Sequence, residues 1–400
     1  MIKTLQDPMG IPFYPVVFQL LMVLTFALHI IFVNFTVGAS VLSVYGHFKG
    51  GLQWKRLSRA LAKAAPAAVS GAMLLGVAPL LFIQVLYDSF WYTSNMLSAF
   101  WVIGFIFIMM AAYGFLYVFY LGGTKKESKG KPLFGVLSVL LFLLAGIVMH
   151  VLNYQFLQPE KWLSWYSGQG AVDTSGLALH TFHLPRFLHF MVPSFAVSGV
   201  LLMLYAWYFR DRSDVDRDYT VWVGQLGARV AFLFTFAQVV VGFWWLLSLP
   251  ADLNFLNNPL FLVGAGLGLL LLFLFYAAQK DPVKFAVPCG LAAFLTVFGM
   301  AYAREGLRMA YLARFDFSIL KHSVNLDMGS TALFLVTFVV GIVIIAYILA
   351  IAFKSGRTEG VYTATRSMQR WGNVSIGLLL AWLVVVAGLG VAITVKNFLM

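Results

Sequence analysis

The sequence has 400 residues, of which 61% are hydrophobic, 10% charged and 16% aromatic, and its mean hydropathy is +0.88. Water-soluble globular chains carry about 25% charged residues, so this composition excludes a soluble enzyme, a disordered chain and a small disulfide-linked scaffold. The formal net charge of +12 does not by itself indicate nucleic-acid binding, because the cytoplasmic loops of membrane proteins are basic.

Ten segments are apolar for long enough to cross a bilayer as helices, which takes about 20 mostly apolar residues. In chain order they are residues 14–45, 64–86, 96–121, 133–154, 185–209, 220–249, 259–279, 283–302, 330–353 and 371–395. The first is longer than the apolar region of a cleavable signal peptide, which is about 7–15 residues, so we expect a retained helix. We find no internal repeat or linker. The pattern predicts an all-α integral membrane protein, a bundle of about ten transmembrane helices in a single polytopic domain over residues 1–400.

The distribution of basic residues predicts the orientation of this bundle. With the N-terminus outside, most of the 27 Lys and Arg residues fall in inner loops and at inner helix ends, as the positive-inside rule requires. The two long loops, residues 155–184 and 303–329, then face outward, and both are rich in aromatic and charged side chains. Orientation therefore explains most of the net charge. We expect the lipid bilayer as a partner and no nucleic acid.

Cysteine and acidic residues limit the chemistry that the chain can perform alone. Cys289 is the only cysteine, which excludes an internal disulfide, a covalently attached c-type haem and a four-thiolate iron–sulfur cluster. All 15 acidic residues, including Glu305, fall in predicted loops or at predicted helix ends. A charge at mid-membrane costs at least ~2.5–3.5 kcal/mol, so intramembrane acids usually mark ion or proton paths. We therefore expect neither a proton pump nor a cation-coupled transporter built from the chain's own carboxylates.

Histidines inside the predicted helices are the strongest candidates for function. His29 lies within the first helix, and His150 and His189 lie near the outer ends of the fourth and fifth helices. A neutral imidazole is a common axial ligand of haem iron, and the similar depth of His150 and His189 would suit opposite faces of one haem. The alternative, commoner on residue type alone, is a pair of interfacial histidines that hydrogen-bond to neighbouring helices or loops. Met149, Met191 and Met300 could also bind iron, although Met more often fills cores.

Several of these residues stand in motifs that resemble subunit I of the cytochrome bd quinol oxidases. The run His29-Ile30-Ile31-Phe32-Val33-Asn34-Phe35-Thr36-Val37-Gly38 resembles the family's first helix, in which the matching His ligates the high-spin b haem. Gly76-Val77-Ala78-Pro79 and Phe90-Trp91-Tyr92-Thr93-Ser94 are similar to its second helix and the aromatic turn that follows. Leu188-His189-Phe190 resembles the fifth helix, whose His ligates the low-spin b haem, and Arg304 matches the Arg of a Gly-Arg-Gln-Pro-Trp motif.

This resemblance covers about half of the chain, and it implies both an architecture and a set of cofactors. It implies a bd-like core over about residues 10–354, with an additional C-terminal helix over about 371–395. It further implies one or two b haems, a quinone or menaquinone substrate, and a location in the cytoplasmic (inner) membrane of a prokaryote.

The chain departs from the family where the oxygen chemistry takes place. The segment 96–121 contains none of the glutamates of the family's third helix, and Gly299-Met300-Ala301-Tyr302 replaces another glutamate before the arginine motif. The seventh segment, 259–279, lacks the Met that ligates the low-spin haem, and the quinol loop is reduced to about Leu249–Asn258. If His150 replaces that Met, the haem becomes bis-His, which transfers electrons but leaves no position for oxygen.

We therefore expect a membrane-embedded electron-transfer subunit of a respiratory complex, a quinol dehydrogenase rather than an oxidase. The predicted haem ligands are His29, His150 and His189, and the candidate quinol contacts or proton acceptors are His183, Arg304, Glu305, Arg308 and His322. The expected partner is a periplasmic or membrane-attached redox subunit, such as a multihaem c-type cytochrome, on the two outer loops. Two alternatives stay open: a divergent bd-type terminal oxidase with an open His29 haem, and a haem-free anchor or transporter. Arg304 and Arg308 also have a structural alternative, which is snorkelling to the interface.

Overall fold

The computed structural model describes residues 9–122, 131–168 and 170–399. Within these ranges the chain forms thirteen α-helices, joined by short loops and single turns of 3₁₀ helix. The helices are α1 (Pro15–Lys49), α2 (Leu52–Leu86), α3 (Asp88–Leu97), α4 (Ala99–Gly122), α5 (Lys131–Gln155), α6 (Trp162–Ser167), α7 (Leu184–Met191), α8 (Pro193–Phe209), α9 (Arg217–Leu247), α10 (Pro259–Ala277), α11 (Pro282–Ala313), α12 (Met328–Arg357) and α13 (Arg366–Leu399).

The predicted all-α membrane bundle is confirmed. Ten spans within the described ranges are long and apolar enough to cross a membrane, with α7 and α8 together forming one of them. The helices are long because their interiors are rich in Leu, Phe, Val and Ala, and the longest connections are those between α5 and α7 and between α11 and α12. Gly50 and Gly51, with φ of 72° and 78°, turn the chain between α1 and α2, because glycine adopts this left-handed conformation without steric cost.

Close backbone contacts hold the centre of the bundle together. A Cβ atom on Gly199 of α8 would lie 2.6 Å from the carbonyl oxygen of Gly227 on α9, and one on Gly38 of α1 would lie 2.2 Å from that of Ser194 on α8. Small residues of this kind let membrane helices approach closely where no hydrophobic effect drives them together. These contacts align α1, α8 and α9, three of the helices that surround the candidate site.

The last two long helices lie at the edge of the bundle. None of the residues in the most apolar windows of α12 and α13 is buried. Near its C-terminal end, α12 is attached to the rest of the chain by the ion pair of Arg357 with Asp211, and the Tyr208 hydroxyl donates to the carbonyl oxygen of Phe353 at 2.6 Å. The exposed apolar faces of both helices imply contact with lipid.

The eighth span is longer than the sequence predicted, and this changes the position of three candidate residues. The predicted span ended at residue 302, but α11 continues to Ala313, so Arg304, Glu305 and Arg308 lie on a helix and not in an outer loop. The predicted span ended too early because a hydropathy average counts the charges of Glu305 and Arg308 separately. Glu305 and Arg308 are one helical turn apart and neutralise each other, with exposed side-chain fractions of only 2% and 5%. The expectation that every acidic residue lies in a loop or at a helix end was therefore wrong for Glu305, and snorkelling does not describe Arg308.

The segment before α1 pairs with the loop between α11 and α12. The amide of Ile11 donates to the carbonyl oxygen of Ser323 at 2.9 Å, and the amide of Asn325 donates to that of Ile11 at 2.9 Å. Gly10, at φ +75°, permits this pairing, because a Cβ atom there would lie 2.4 Å from the Ser323 oxygen. The N-terminal segment and this loop therefore lie on one side of the bundle, called the outer side below because the basic residues predict it to face outward.

Labelling of single cysteines tests this orientation. In a Cys289→Ser background, we expect Thr174→Cys to react with a membrane-impermeant maleimide on intact cells, and Ser213→Cys to react only after lysis. Thr174 and Ser213 are both exposed, so a difference in labelling reports sidedness. Labelling of Ser213→Cys, and not of Thr174→Cys, on intact cells would reverse the orientation.

Candidate functional site

A cavity of about 230 Å³ lies among α1, α7, α8, α9, α10 and α11. Its wall is almost entirely apolar, and the polar or sulfur-bearing side chains on it are Asn34, His189, Thr235, Gln238, Thr296, Met300 and Arg304. An engineered apolar cavity of about 150 Å³ holds benzene, so this cavity has room for part of a larger apolar ligand. It is the natural place to look for the function of the buried histidines.

His189 lies in the last turn of α7, and the chain positions it through a proline. Pro193 has no amide hydrogen, so the carbonyl oxygen of His189, four residues earlier, has no helical donor. The side-chain amide of Gln238 on α9 donates to that oxygen instead, at 2.9 Å. This bond fixes the end of α7 against α9, where the His189 ring packs 5.0 Å from the ring of Trp245.

The His189 imidazole is well placed to bind a metal or another group. Its Nδ1 atom is buried and has no hydrogen-bond partner among the described residues. The ring lies against Gly242, where a Cβ atom would approach its Cε1 atom to 3.2 Å, so the glycine leaves space for the imidazole. The ring also lines the cavity, so a neutral imidazole here can offer a nitrogen lone pair to a group bound in the cavity. The position and surroundings of His189 therefore fit the role of a haem ligand.

Met300 lines the same cavity from α11. Its sulfur lies near Gly264, where a Cβ atom would be 3.4 Å away, and its methyl group lies near Gly268 at 3.5 Å. The sequence lacks a Met on the seventh span, α10, but the structure places this Met of the eighth span against that helix. An imidazole and a thioether, a common pair of axial haem ligands, therefore share one cavity wall.

His150 lies elsewhere, in an aromatic cluster beneath the outer loop. It is 7% exposed, its Nε2 atom accepts a hydrogen bond from the amide of His183 at 3.1 Å, and its Nδ1 atom has no partner among the described residues. Its ring contacts Tyr154, Phe182 and Phe187. The cavity wall does not include His150, so the structure does not bring it together with His189. The bis-His pairing stays a prediction that would require this hydrogen bond to break.

His29 is held by the neighbouring helix. Its Nδ1 atom lies 2.8 Å from the carbonyl oxygen of Ala72 on α2, and because a carbonyl only accepts, Nδ1 carries the proton. The Nε2 atom of the neutral ring then keeps its lone pair, which is the arrangement of many metal-bound histidines. The ring faces Gly76, where a Cβ atom would lie 2.9 Å from it. His29 does not line the cavity, although Phe26 and Ile30 on the same helix do.

Two further histidine candidates bind backbone groups at the outer side. His183 precedes α7 and its Nδ1 atom accepts from the amide of Arg186 at 3.3 Å. Burial, and next the positive charge of Arg186, lower the pKa of His183 below its ordinary value, so its ring is neutral at neutral pH. His322 lies 2.9 Å through Nε2 from the carbonyl oxygen of Leu86. Both therefore have structural roles at loop–helix junctions.

Glu305 is the centre of a buried polar network on the outer half of α11. Arg308 donates to its Oε2 atom at 2.5 Å, Gln19 donates to Oε1 at 3.1 Å, and the Tyr87 hydroxyl donates to Oε1. The Arg308 guanidinium also lies 5.1 Å over the Tyr87 ring. Burial, and next the negative charge of Glu305, raise the pKa of Tyr87 well above its ordinary value, so this hydroxyl stays a donor. The network joins α1, α11 and the end of α2.

Sequence reasoning missed several residues of this region. It passed over Gln19, Tyr87 and Asn153, interpreted Trp245 as an interfacial aromatic, and counted Arg186 only as an outer charge. The spacing of Glu305 and Arg308, three residues apart, was the available signal, because it places opposite charges on one helical face. The other residues come together from four helices and from the junction between α2 and α3, so no local pattern marks them.

Comparisons with known proteins support the fold. The structure is similar to the solved structure of the bd oxidase from Geobacillus thermodenitrificans, with a TM-score of 0.62 and 15% sequence identity, over 92% of this chain and 99% of that one. No protein-family model matches the sequence, and no curated protein matches it. The resemblance inferred from the sequence is therefore confirmed as a bd-like helix arrangement.

Removal of the Glu305 carboxylate tests whether this network is buried and paired. Glu305→Ala leaves the Arg308 charge buried without its partner, and loss of one member of a buried pair costs about 3–5 kcal/mol. We expect a correspondingly large loss of stability in SDS-induced unfolding, and a smaller loss for Glu305→Gln, which keeps hydrogen-bonding groups.

The matched control is an exposed ion pair. Asp252 lies 3.2 Å from Arg314, with side-chain exposures of 58% and 42%, and such pairs contribute about 0–1 kcal/mol. Asp252→Ala is therefore expected to leave stability nearly unchanged. Equal effects of Glu305→Ala and Asp252→Ala would contradict the buried network.

Proposed function

We propose that the chain is a membrane-embedded electron-transfer subunit that binds a b haem in the apolar cavity, with His189 as an axial ligand. The observation that carries this proposal is the buried His189 ring, whose Nδ1 atom has no partner among the described residues and which lines a cavity of about 230 Å³. The resemblance to subunit I of the bd quinol oxidases, in which the matching His binds haem, points to the same group. When bound, the haem supplies a one-electron carrier.

The second axial ligand in this proposal is Met300. It shares the cavity wall with His189, whereas His150 is absent from that wall and accepts a hydrogen bond from the His183 amide. A haem held by both His189 and Met300 would supply electron transfer and would leave no site for oxygen. This favours electron transfer over oxygen reduction, as does the lack of acidic residues on α4.

His29 is the proposed ligand of a second haem. Its protonated Nδ1 atom and the carbonyl of Ala72 fix the ring and leave the Nε2 lone pair available. Gly76 leaves room for the ring, because a Cβ atom there would lie 2.9 Å from it. A haem held by His29 alone would have an open position, which is the feature that the terminal-oxidase alternative requires.

The substrate and partner of the proposed subunit are a quinol, such as menaquinol, and a redox protein at the outer side. The candidate contacts for the quinol headgroup or its protons are His183, Arg304, Glu305, Arg308 and His322, which lie on or next to the outer half of the bundle. Glu305 is the one carboxylate among them, and Arg308, Gln19 and Tyr87 donate hydrogen bonds to it. A periplasmic or membrane-attached cytochrome c is the proposed partner, docking on the loop between α5 and α7 and on the loop between α11 and α12.

Pigment spectra of three single variants of the purified protein test the ligand assignment. We expect His189→Ala to lose the low-spin haem spectrum, because the main ligand is removed. Met300→Leu is expected to keep haem but to convert it to high spin, with a new absorption shift on adding carbon monoxide. His150→Ala is expected to keep the low-spin spectrum. We expect near-infrared magnetic circular dichroism of the wild type to show that a sulfur atom ligates the haem iron.

The control variant is His180→Ala, which removes a histidine that stacks on Trp165 in the outer loop and is expected to leave the spectrum unchanged. Loss of the low-spin signal in His150→Ala, and not in Met300→Leu, would replace our ligand pair by the bis-His pair. A carbon monoxide shift in the wild type that His29→Ala abolishes would assign the open position to a haem at His29, and quinol-dependent oxygen consumption that the same variant abolishes would favour the oxidase alternative. Purified protein without a Soret band would contradict both and leave the haem-free anchor.

A further inference from the structure

A second, much smaller pocket adjoins the cavity on its outer side. It is lined by Asn153, Leu157, Arg186, Trp245, Arg304, Leu307 and Arg308 and holds about 10 Å³, and Trp245, Arg304 and Leu307 also line the large cavity. A space of this size takes a group about as large as one water molecule. The two spaces together therefore suit a ligand with a large apolar body and a small polar end.

The small pocket carries an excess of positive charge. Among the described residues, three guanidinium groups line it, and the one carboxylate that pairs with them, Glu305, binds Arg308. Arg186 and Arg304 have no acidic partner in this part of the chain. An uncompensated buried charge is strongly destabilising, so an anionic group in the pocket would stabilise the protein by compensating the charges of Arg186 and Arg304.

Asn153 holds the two unpaired arginines in place. Its carbonyl oxygen accepts from Arg186 Nη2 at 3.5 Å, and its side-chain Oδ1 atom accepts from Arg304 Nη2 at 3.1 Å. The ring of Phe190 lies between them, 5.9 Å from the Arg186 guanidinium and 5.7 Å from that of Arg304. Both arginines are thus positioned by α5 and α7 before any ligand binds.

Donor atoms of both arginines remain available in this arrangement. Arg186 is only 5% exposed, and its Nη1 atom is buried with no hydrogen-bond partner in the described residues; the same holds for Nε of Arg304. Unmade hydrogen bonds of a buried charged group carry a large penalty. The pocket therefore contains two charged donor atoms, Nη1 of Arg186 and Nε of Arg304, for which the described residues supply no acceptor.

We propose that Arg186 and Arg304 bind a carboxylate of the ligand in the apolar cavity, namely a propionate of the haem porphyrin. Guanidinium groups bind carboxylates through short, charge-assisted hydrogen bonds, and the small pocket admits a carboxylate but not a ring. The inference rests on the proposed function, because it takes the haem as the body of the ligand. It adds two binding residues that contact the porphyrin edge and not the iron.

Porphyrin titrations of the full chain in lipid nanodiscs, purified from haem-deficient cells, test this inference. The probes are iron protoporphyrin IX and its dimethyl ester, in which both carboxylates are blocked, and binding is followed by the Soret band and by quenching of tryptophan fluorescence. We expect the wild type to bind the free acid at least about tenfold more tightly than the ester, since a hydrogen bond to a charged group contributes this much or more.

Variants then assign the preference to the two arginines. We expect Arg186→Gln and Arg304→Gln each to weaken binding of the free acid and to leave binding of the ester nearly unchanged. Arg186→Lys is expected to retain part of the preference. The control, Arg314→Gln, removes an exposed arginine that pairs with Asp252, and it is expected to behave as the wild type.

The outcomes separate this inference from the proposed function. Equal affinity of the wild type for the two porphyrins would overturn the carboxylate site and leave the haem proposal standing, and this comparison needs no variant to fold. If neither porphyrin binds, the proposed function fails. A third arm uses oleate: equal porphyrin affinities together with oleate binding that depends on Arg186 would assign the site to a lipid carboxylate and overturn the propionate assignment.

Discussion

A polar atom inside a bilayer must find a partner within the protein, because no water is available to replace one. In this chain the constraint acts mainly on the outer half of the bundle. There Glu305 receives donors from Arg308, Gln19 and Tyr87, and these bonds let α11 continue past the point where its hydropathy falls. The extension brings Arg304 to the edge of the cavity. This places Arg304 beside Arg186, which α7 carries to the same small pocket.

Some buried polar atoms of the bundle nevertheless lack a hydrogen-bond partner, and their positions indicate where a ligand could bind. Among the described residues these include Nδ1 of His189, Nη1 of Arg186 and Nε of Arg304, on helices that border the same cavity. These three atoms belong to an imidazole and two guanidiniums that line the cavity or the small pocket beside it. A ligand with a metal centre and an acidic edge would provide a partner for the imidazole and for both guanidiniums. The haem proposal and the carboxylate proposal therefore support each other.

The fold followed from the sequence because the bilayer imposes a length on every span. Hydropathy located the spans, and the basic loops predicted their orientation. The end of α11 could not be predicted in this way, because a hydropathy window adds the penalties of Glu305 and Arg308 and does not recognise that they form a pair. The N-terminal extension of α2, which begins at Leu52 and not near residue 64, was missed for a different reason: its first turns carry exposed basic residues, which lower the local hydropathy.

The site was only partly accessible to sequence reasoning. His189 was selected from the sequence as a haem ligand and lies on the cavity wall, but its pairing with His150 was argued from depth alone. Depth along a helix follows from residue number, whereas the direction of a side chain around the helix depends on neighbouring helices. The contacts that decide it here are non-local: Gln238 replaces the amide that Pro193 lacks, and Gly242 leaves space for the ring. Met300 is a better candidate than His150 for the second haem ligand, because contacts between distant parts of the chain place it on the cavity wall.

The most direct test of the account is an electron cryomicroscopy map of the protein purified under mild conditions. The account predicts a flat density in the cavity, continuous with the side chains of His189 and Met300, with one edge against Arg186 and Arg304. A map in which the cavity contains only acyl chains, and the His189 ring contacts nothing but neighbouring side chains, would contradict it.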